Sequence, residues 1–384
     1  MRIGINASFL RKPGTGIGQV TLHFLETLAT LSYTENHEFF LYLEEESSLV
    51  PTSNSIHQRA FLPRFWKRDD LFRKWLWEQR VATEAKRDGC DVFLSLYQST
   101  TIFRTSSIRH TMIVHDLIPR LFPEYLGNGR QRFFWRATER AIHRAHAVVA
   151  VSQSTSNDLI EFGVNREVIT VAYPDVAPIF RREVSIDEER RVLEKYHLTP
   201  GYIYHGGGLE IRKNTAELLR EYAALLAEYK GDNSQIPKLV VSGKIFSESN
   251  SLATPVRSLV RDLGITDSVR LLGFVPEADL PVLYKKALFF AYPSRYEGFG
   301  LPVLEALAVK TPVLTSDVSS LPEVAGPAAL YIDPDLPGSL RSGLKRLIQD
   351  ESLRLTLRQS AEHEAGHFSW TSFTESVIRQ VIHV

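Results

Sequence analysis

The stretch Tyr292-Pro-Ser-Arg-Tyr-Glu-Gly-Phe-Gly-Leu-Pro-Val-Leu-Glu-Ala-Leu-Ala308 leads from the end of an apolar strand, through a loop with Gly298 and Gly300, into a helix. Pro302 suits the first turn of that helix, where its missing N–H group costs nothing. The free N–H groups and the positive end of the helix dipole form a site for an anion such as a diphosphate. The stretch therefore predicts an α/β unit with an anion site at the end of a strand.

Two carboxylates flank this predicted anion site. Glu305 lies about one turn into the helix and can accept hydrogen bonds from hydroxyl groups beside a phosphate. Glu297 precedes the helix and can reach another part of the same ligand. A ligand that carries hydroxyl groups next to a diphosphate is typically a nucleotide sugar. Taken singly, each glutamate also fits an ordinary strand–loop–helix junction with an acidic residue near the start of the helix.

Short apolar runs alternate with helical stretches along nearly all of the 384 residues, a length that exceeds one ordinary core. Most of the runs are continuous rather than alternating, which is typical of parallel strands that are buried on both faces. The predicted strands are Arg2–Asn6, Glu38–Leu43, Asp91–Leu96, Thr111–His115, Ala147–Val151, Val168–Ala172, Tyr202–His205, Lys238–Ser242, Val269–Leu272, Leu288–Tyr292, Pro312–Thr315 and Ala329–Ile332.

A charged segment near residues 173–200, which holds Pro174 and Pro178, separates two series of strands. It predicts a linker followed by the first helix of a second domain. We expect an α/β protein of two Rossmann-like, doubly wound domains that face a central cleft. The first covers residues 1–177 and is joined by a C-terminal helix over 369–384, and the second covers 178–368. Because ligands bind beyond the carboxyl ends of the strands in such sheets, the cleft is the expected active site.

The composition limits the classes of partner. Lys plus Arg equals Asp plus Glu at 45 each, which argues against nucleic-acid binding, since that needs a basic surplus. Cys90 is the single cysteine, so no disulfide can form within the chain, as is usual in the cytoplasm. The sequence has no apolar run suited to a signal peptide or a membrane span. We expect a cytoplasmic protein, with at most a peripheral contact at the inner face of the membrane.

A second motif, Tyr204-His-Gly-Gly-Gly-Leu-Glu-Ile-Arg-Lys-Asn214, follows the first strand of the second series. A glycine-rich turn before two adjacent cations, Arg212 and Lys213, suits a pyrophosphate. An ordinary solvated basic turn explains the same residues equally well.

Two motifs of the first domain also follow strands. The loop Pro13-Gly-Thr-Gly-Ile-Gly-Gln-Val20 has glycines at 14, 16 and 18, so it departs from the Gly-x-Gly-x-x-Gly pattern and disfavours a dinucleotide-dependent dehydrogenase. The element Met112-Ile-Val-His-Asp-Leu-Ile-Pro119 places His115 and Asp116 at a carboxyl end, where a histidine is more often structural.

Glu297 and Glu305 resemble the Glu-x7-Glu signature of the retaining glycosyltransferases of family 4, which have the GT-B fold. The resemblance extends over nearly the whole chain. In that family the first glutamate contacts the donor sugar and the second contacts the ribose of the nucleotide, so the resemblance implies these roles for Glu297 and Glu305. It also implies that backbone amides near Gly300 and Leu301 hold the donor diphosphate.

The other motifs resemble further elements of family 4. The Arg-Lys-Asn element implies that Arg212 and Lys213 hold the donor phosphates. The glycine loop implies that Gly16 touches the donor phosphate and helps to shape the acceptor site. The His-Asp element implies that His115 and Asp116 lie near the donor sugar and the reacting centre.

By this resemblance we expect a retaining glycosyltransferase that moves a hexose from a nucleotide sugar to a glycan or polyprenyl-linked acceptor, as in cell-surface polysaccharide synthesis. The sequence His115-Asp-Leu-Ile-Pro119 before Phe122-Pro-Glu124 resembles a mannosyltransferase-like branch, so GDP-mannose is the first candidate donor. No metal or other cofactor is expected, because the two adjacent cations and the helix terminus can neutralise the leaving diphosphate. Asp333-Pro-Asp335 has the shape of a metal-binding Asp-x-Asp motif, but its Pro-rich loop favours a structural role.

Alternatives remain open at this point. The donor can be a UDP-sugar, or the fold can carry a sugar-nucleotide epimerase, which uses no acceptor. The chain can also be a non-catalytic partner that binds a nucleotide sugar within an assembly complex. A pyridoxal-phosphate-dependent phosphorylase is disfavoured because the chain is short for one.

Two basic stretches belong to the first domain. One is Arg64-Phe-Trp-Lys-Arg68, which leads into Leu71-Phe-Arg-Lys-Trp-Leu-Trp77. The other has an arginine every four residues along one helix face, at Arg132, Arg136, Arg140 and Arg144. A solvated helix face explains the second pattern, and contact with an anionic membrane or a lipid-diphosphate acceptor is the sharper hypothesis.

Overall fold

The computed structural model describes residues 1–61, 71–103, 108–229, 236–247 and 249–383, so the basic stretch Arg64–Arg68 lies outside the described residues. The strands are β1 Arg2–Asn6, β2 Glu38–Leu43, β3 Ile56–Ala60, β4 Val92–Ser95, β5 Arg109–Val114, β6 Ala147–Ala150, β7 Ile169–Val171, β8 Tyr202–His205, β9 Leu239–Ser242, β10 Val269–Gly273, β11 Ala287–Tyr292, β12 Val313–Ser316 and β13 Ala329–Ile332. The helices are α1 Gly16–Thr30, α2 Tyr33–Asn36, α3 Leu71–Arg87, α4 Ile118–Leu121, α5 Gly129–Ile142, α6 Gln153–Glu161, α7 Ile186–Tyr196, α8 Thr215–Glu228, α9 Val256–Asp262, α10 Leu280–Lys285, α11 Leu301–Ala308, α12 Leu321–Ala325, α13 Ser339–Gln349, α14 Glu351–Ala365 and α15 Trp370–His383.

The chain forms two compact units. The first comprises Met1–Asp175 with Phe368–Val384, and the second comprises Val176–His367. Each unit is built on one parallel sheet with helical crossovers, which is the α/β architecture that the alternating apolar runs predict. The fold-class prediction of two Rossmann-like domains is confirmed.

The sheet of the first unit has the order β3-β2-β1-β4-β5-β6-β7. Its central strands β4 and β6 are buried along their whole length, as their continuous apolar sequences predict. The sequence pattern did not predict β3, because this strand pairs only with β2 in the described sheet and its polar residues His57 to Arg59 are partly or fully exposed. The C-terminal helix α15 also belongs to this unit and packs on α1, with 6.4 Å between the ring centroids of Phe24 and Phe373.

The sheet of the second unit has the order β10-β9-β8-β11-β12-β13. Numbered within the unit, this is the Rossmann order 3-2-1-4-5-6. The strand order reverses between β8 and β11, and this switch point is where such sheets bind ligands. The two motifs of the second domain follow these two strands.

Most predicted strands differ from the observed ones by one or two residues at an end, as when β4 covers Val92–Ser95 instead of residues 91–96. Over the described ranges, no helix combines the length and the apolar character that crossing a bilayer would require.

Candidate active site

The loops after β8 and β11 meet at the switch point of the second sheet. The backbone N–H of Arg295 donates to the carbonyl oxygen of Arg212 at 2.8 Å, and Ser294 Oγ donates to the same oxygen at 3.2 Å. These contacts join segments more than 80 residues apart in the sequence, since Ser294 and Arg212 are 82 positions apart. The topology of the sheet therefore places the two sequence motifs in one site.

The carboxylate of Glu297 is the centre of a buried polar cluster. Its Oε1 atom accepts hydrogen bonds from Lys213 Nζ at 2.6 Å and from Tyr292 OH and Ser294 Oγ at 2.8 Å each. Arg212 Nη1 lies 2.8 Å from the same oxygen, and Lys213 Nζ also donates to Tyr292 OH. One carboxylate oxygen thus holds both cations of the Arg-Lys pair.

Electrostatics keeps this carboxylate ionised. Burial by itself would raise the pKa of Glu297. The charges of Arg212 and Lys213 outweigh burial, and hydrogen bonds from Lys213 and Tyr292 add to their effect, so the pKa falls to about 2. Burial lowers the pKa of Lys213, and the charge of Glu297 opposes that effect. Two cations around one carboxylate leave a positive surplus that favours an anionic ligand.

Arg212 keeps donors for such a ligand. Its contacts with Glu297 Oε1 and with the carbonyl oxygen of Tyr296 both use Nη1, at 2.8 Å each. Within the part of the chain that the structure describes, the remaining N–H groups of the guanidinium stay open. A guanidinium fork of this kind matches the geometry of phosphate oxygens.

The N-terminus of α11 lies directly beside the glycine-rich turn. A Cβ atom at Gly207 would come within 2.6 Å of Pro302 Cγ, so only glycine allows the turn to approach the first turn of α11 this closely. Gly300 is the N-cap residue and supplies no side-chain cap. Pro302 has no N–H group and the N–H of Val303 donates to the carbonyl oxygen of Gly300 at 2.9 Å, so the N–H of Leu301 is the first-turn donor left for a ligand. The predicted anion site is therefore assembled from the two cations, the glycine turn and this helix terminus.

Family 4 members often carry an arginine at the position of Gly208. Here Gly208 has a φ of 112°, and a side chain at this position would meet the carboxylate of Glu210. An arginine at this position would therefore have to displace the Glu210 carboxylate and adopt a backbone conformation that favours glycine. Any phosphate contact that this arginine makes in other members has to come from elsewhere in the chain.

Glu305 lies in α11 in surroundings that differ from those of Glu297. Its Oε2 atom accepts a hydrogen bond from Tyr284 OH at 2.7 Å. Burial raises the pKa of Glu305 to about 7, although the Tyr284 hydrogen bond and the charge of Lys213 lower it in part. Tyr284 packs edge-on against Tyr204, with 5.0 Å between the ring centroids. A carboxyl group of this kind gains or loses its proton near neutral pH.

In the first unit, His115 follows β5 and is buried. Its Nε2 atom lies 2.9 Å from the carbonyl oxygen of Leu96. Because a carbonyl oxygen only accepts, Nε2 carries the proton and Nδ1 keeps its lone pair. Burial lowers the pKa of His115 to about 4, and the hydrogen bond to Leu96 opposes this shift. His115 is therefore neutral at pH 7 and can accept a hydrogen bond through Nδ1.

The side chain of Gln98 holds the His-Asp peptide from both ends. Its Oε1 atom accepts from the backbone N–H of His115 at 3.1 Å, and its Nε2 atom donates to the carbonyl oxygen of Asp116 at 3.2 Å. Asp116 Oδ1 accepts from the N–H of Ile118 at 3.0 Å and so shapes the turn into α4. This carboxylate has a local structural role in addition to the role that the family resemblance implies.

Gly16 is exposed and is the first residue of α1. Thr15 caps the helix by accepting the N–H of Gly18 at 3.1 Å. A side chain at Gly18 would collide with the carbonyl oxygen of Lys12. Gly18 is thus required for packing. Gly16 has no side chain to cover its exposed backbone, which lies near the carboxyl end of β1.

Asp333 and Asp335 have local partners. Asp333 Oδ1 accepts from the N–H of Asp335 at 2.9 Å, and Asp335 lies 3.2 Å from Arg295 Nη2. The carboxylate of Asp333 thus serves the turn after β13, whereas the carboxylate of Asp335 joins this turn to the loop after β11.

The structure also reveals site residues that sequence reasoning missed. Tyr284 and Gln98 lie outside the recognised motifs, and their contacts with Glu305 and His115 arise only from the fold. Ser294 lies within the signature stretch, but its position among loop residues gave no signal of the hydrogen bond to Glu297.

Comparisons with known proteins show the family to which the chain belongs. The model for "Glycosyltransferase Family 4" matches residues 14–177, and the model for "Glycosyl transferases group 1" matches residues 185–364. The O-antigen chain mannosyltransferase B of Escherichia coli is 31% identical over 391 residues, with 98% of each chain covered. The chain belongs to glycosyltransferase family 4. The O-antigen chain mannosyltransferase RfbU of Salmonella typhimurium is a further relative of this family 4 enzyme, 26% identical with 90% of each chain covered.

Solved structures show the fold of this family 4 glycosyltransferase. WaaG, a glycosyltransferase involved in lipopolysaccharide biosynthesis, matches with a TM-score of 0.75 at 16% identity, covering 100% of both chains. HepE of Anabaena in complex with UDP and glucose matches with a TM-score of 0.72 at 17% identity, covering 100% of this chain and 99% of its own. The GT-B fold and the glycosyltransferase class that the sequence predicts are both confirmed.

Proposed function

We propose that this glycosyltransferase transfers mannose from GDP-mannose, with retention of configuration, to a glycan or polyprenyl-linked acceptor in cell-surface polysaccharide synthesis. The observation that carries the proposal is the cluster of Arg212, Lys213 and Glu297 beside the N-terminus of α11, at the switch point of the second sheet. The end-to-end similarity to an O-antigen mannosyltransferase supports mannose as the sugar and a surface glycan as the product.

In this proposal the second unit holds the donor. Arg212, Lys213 and the backbone amides near Gly300 and Leu301 bind the diphosphate, and the ionised form of Glu305 accepts hydrogen bonds from the ribose hydroxyl groups. These cations and the helix terminus also neutralise the charge that develops on the leaving group, so the reaction needs no metal ion or other cofactor.

The transferred sugar is positioned by Glu297 and by residues of the first unit. His115 accepts a sugar hydroxyl through Nδ1, Asp116 shapes the turn beside it, and Gly16 offers backbone to the donor phosphate. The bond from the anomeric carbon to the diphosphate breaks, and the bond to the acceptor oxygen forms on the same face. The acceptor's proton passes to an oxygen of the leaving diphosphate. The acceptor binds the first unit, which also makes peripheral contact with an anionic membrane.

Thermal unfolding with GDP and with UDP, followed by product analysis with the matching sugars, tests the proposal. A nucleotide at a hundred times its Kd stabilises the folded chain by about 2.7 kcal/mol. The nucleotide that binds more tightly therefore gives a clearly larger rise in the unfolding temperature. We expect GDP to stabilise more than UDP, and GDP-mannose to give an α-linked product with or without EDTA. Stronger stabilisation by UDP would mean that the donor is a UDP-sugar rather than GDP-mannose. An epimerised sugar formed without acceptor would mean that the enzyme is an epimerase rather than a transferase. Turnover that EDTA abolishes would contradict the proposal that no metal ion is needed.

A further inference from the structure

The loop after β4, residues 96–101, supports His115 through two separate contacts. The carbonyl oxygen of Leu96 accepts a hydrogen bond from His115 Nε2 at 2.9 Å, which fixes the ring nitrogen that carries the proton. The side chain of Gln98 fixes the backbone, since the N–H of His115 donates to Gln98 Oε1 at 3.1 Å. The orientation of the histidine ring therefore depends on where this loop lies.

The carboxylate of Glu78, in helix α3, holds the same loop in place. Its Oε2 atom accepts from the backbone N–H of Thr100 at 2.8 Å and from Thr100 Oγ1 at 2.5 Å. Its Oε1 atom accepts from Tyr97 OH at 2.6 Å. Thr100 and Tyr97 lie on either side of Gln98 in the chain. Glu78 thus holds the loop on both sides of the residue that binds the His-Asp peptide.

Tyr97 also connects Glu78 to the loop after β1. Its hydroxyl oxygen lies 3.2 Å from Asn6 Nδ2 and 3.0 Å from Ser8 Oγ. Asn6 ends β1, and Ser8 begins a short helix that leads towards the glycine loop before α1. One buried carboxylate therefore joins the loop that supports the histidine to the start of the loop that carries the glycines.

The burial of Glu78 has a cost that packing alone does not explain. Glu78 is 0% exposed, and Lys74 Nζ lies 3.9 Å from its Oε1 atom, beyond hydrogen-bond distance. The carboxylate is therefore satisfied mainly by hydrogen-bond donors of the loop, and such bonds to an ionised acceptor are short and strong. Apolar side chains such as Trp77 and Val81, which α3 also buries, would hold a helix against a sheet at lower cost. The carboxylate instead fixes the position of the loop.

We propose that Glu78 is a positioning residue of the glycosyl transfer reaction, which acts on His115 through Thr100 and the loop 96–101. The loop keeps Nε2 of His115 protonated and leaves Nδ1 to accept a hydroxyl group of the transferred sugar. A displacement of about 1 Å at the reacting sugar can cost about a hundredfold in rate. This role of Glu78 rests on the proposed function, in which His115 contacts the sugar.

Variants of Thr100 test this role because they weaken the contact and keep the buried carboxylate. Thr100→Val deletes the hydroxyl group that donates to Glu78 and keeps the backbone N–H and the shape of the side chain. With GDP-mannose as the donor and methyl α-mannoside as the acceptor probe, we expect kcat to fall by about tenfold. Thr100→Ser keeps the hydroxyl group and should restore most of kcat. Calorimetry should show unchanged affinity for GDP in both variants, because the second unit holds the nucleotide in the proposed function.

Thr138→Val is the matched control. Thr138 and Thr100 are equally buried, at 1% exposure each, but the hydroxyl group of Thr138 donates within α5, to the carbonyl oxygen of Phe134 at 3.1 Å. This control should keep the kcat of the unchanged chain. Thermal unfolding shows whether both valine variants are folded and how much stability each one loses.

Glu78→Gln tests the carboxylate directly. The amide keeps one acceptor oxygen and replaces the other with a donor, so one side of the loop loses its partner. We expect kcat to fall by about a hundredfold. Thermal unfolding accompanies this assay, and the Thr100 variants decide the outcome if Glu78→Gln does not fold.

Nitrogen-15 NMR of the His115 ring measures the same effect without donor or acceptor. The signal is assigned by its absence from His115→Gln. The unchanged chain should show one tautomer, with the proton on Nε2. Thr100→Val should show a mixture of both tautomers, because the carbonyl group of Leu96 is no longer held in place, and Thr100→Ser should return the single tautomer.

An unchanged kcat in Thr100→Val overturns the proposal. A fall in kcat with the His115 tautomer unchanged overturns it too, because the loop then acts by another route. An equal fall in Thr138→Val has the same consequence, since the loss then follows from stability. Failure of the proposed function is distinguishable from these results: the unchanged chain would then form no mannosylated product, whereas failure of the positioning role leaves product formation intact in the variants.

Discussion

The surroundings of Glu297 and Glu305 are opposite, although one signature contains both residues. Glu297 meets two cations and two hydroxyl groups, and its pKa is about 2. Glu305 meets one hydroxyl group in a buried setting, and its pKa is about 7. The same side-chain type, eight positions apart in the sequence, is thus a fixed charge in one place and a titrating group in the other. The spacing in the sequence identifies the two glutamate positions, whereas the tertiary surroundings determine the pKa of each carboxyl group.

The two carboxylates also act on stability in opposite pH ranges. For Glu297 the folded-state pKa lies below the ordinary 4.5, so its contribution is present above pH 4.5 and is lost as the pH falls towards 2. For Glu305 the folded-state pKa lies above 4.5, so its contribution is present below pH 4.5 and is lost as the pH rises through 7. Substitutions can therefore test the two surroundings separately.

The largest expected effect comes from removing the lysine of the Glu297 cluster. Lys213→Met deletes a proposed phosphate contact and one of two charges that compensate Glu297. We expect kcat/KM to fall by about a hundredfold to a thousandfold. The free energy of unfolding should fall by about 2 kcal/mol, because Glu297 loses one charge-assisted hydrogen bond while Arg212 still compensates its charge. Steady-state kinetics and urea unfolding measure the two quantities.

A double variant tests whether the remaining Arg212–Glu297 pair supports the fold. In Lys213→Met, Arg212 still compensates Glu297 at 2.8 Å, whereas Lys213→Met combined with Glu297→Gln leaves Arg212 without its carboxylate, so the double variant should be less stable than the single one and remain inactive. The control is Lys310→Met, which breaks an exposed 2.8 Å pair with Glu362 and should cost less than about 1 kcal/mol. Near-normal turnover of Lys213→Met would contradict the assignment of the phosphate site.

Glu305→Gln should produce an intermediate effect that depends on pH. The glutamine mimics the protonated carboxyl group, so it avoids the cost of ionising Glu305 in the folded protein. We expect the variant to match the unchanged chain near pH 4.5 and to exceed its stability above pH 7 by up to about 3 kcal/mol. The same variant should bind the nucleoside diphosphate about tenfold more weakly, because a charged acceptor for the ribose is lost.

Thermal unfolding across pH and titration calorimetry check these values. Glu297→Gln is the comparison variant and should leave the pH dependence near 7 unchanged. If Glu305→Gln follows the same stability curve as the unchanged chain, the carboxyl group of Glu305 does not titrate near 7 and the contrast between the two glutamates fails.

Much of the fold was predictable from the sequence because it depends on local patterns. Continuous apolar runs such as Ala147–Ala150 identify buried parallel strands wherever they occur. The polar strand Ile56–Ala60 was missed, since its pairing with β2 depends on backbone hydrogen bonds that side-chain pattern does not encode.

The candidate site was predictable as a set of residues but not as a set of interactions. Gly300 and Pro302 indicate the helix terminus directly, because their conformational preferences are local. No pattern indicates that Lys213 donates to Glu297, since that contact follows from β8 and β11 lying side by side. The pKa of Glu305 likewise depends on burial beside Tyr284, which comes from a different helix.

The smallest expected effect compares the two tyrosines that donate to the glutamates. Tyr284→Phe removes the principal interaction that lowers the pKa of Glu305, so this pKa should rise further above 7, by about half a unit to one unit. Tyr292→Phe removes a weaker contributor at Glu297, where the charges of Arg212 and Lys213 remain, so that pKa should stay far below 4.5. Carbon-13 NMR titration of the glutamate carboxyl groups measures both shifts. A larger shift at Glu297 than at Glu305 would mean that hydrogen bonds rather than the two cations hold Glu297 ionised, and the contrast between a charge-compensated and a buried carboxylate would have to be abandoned.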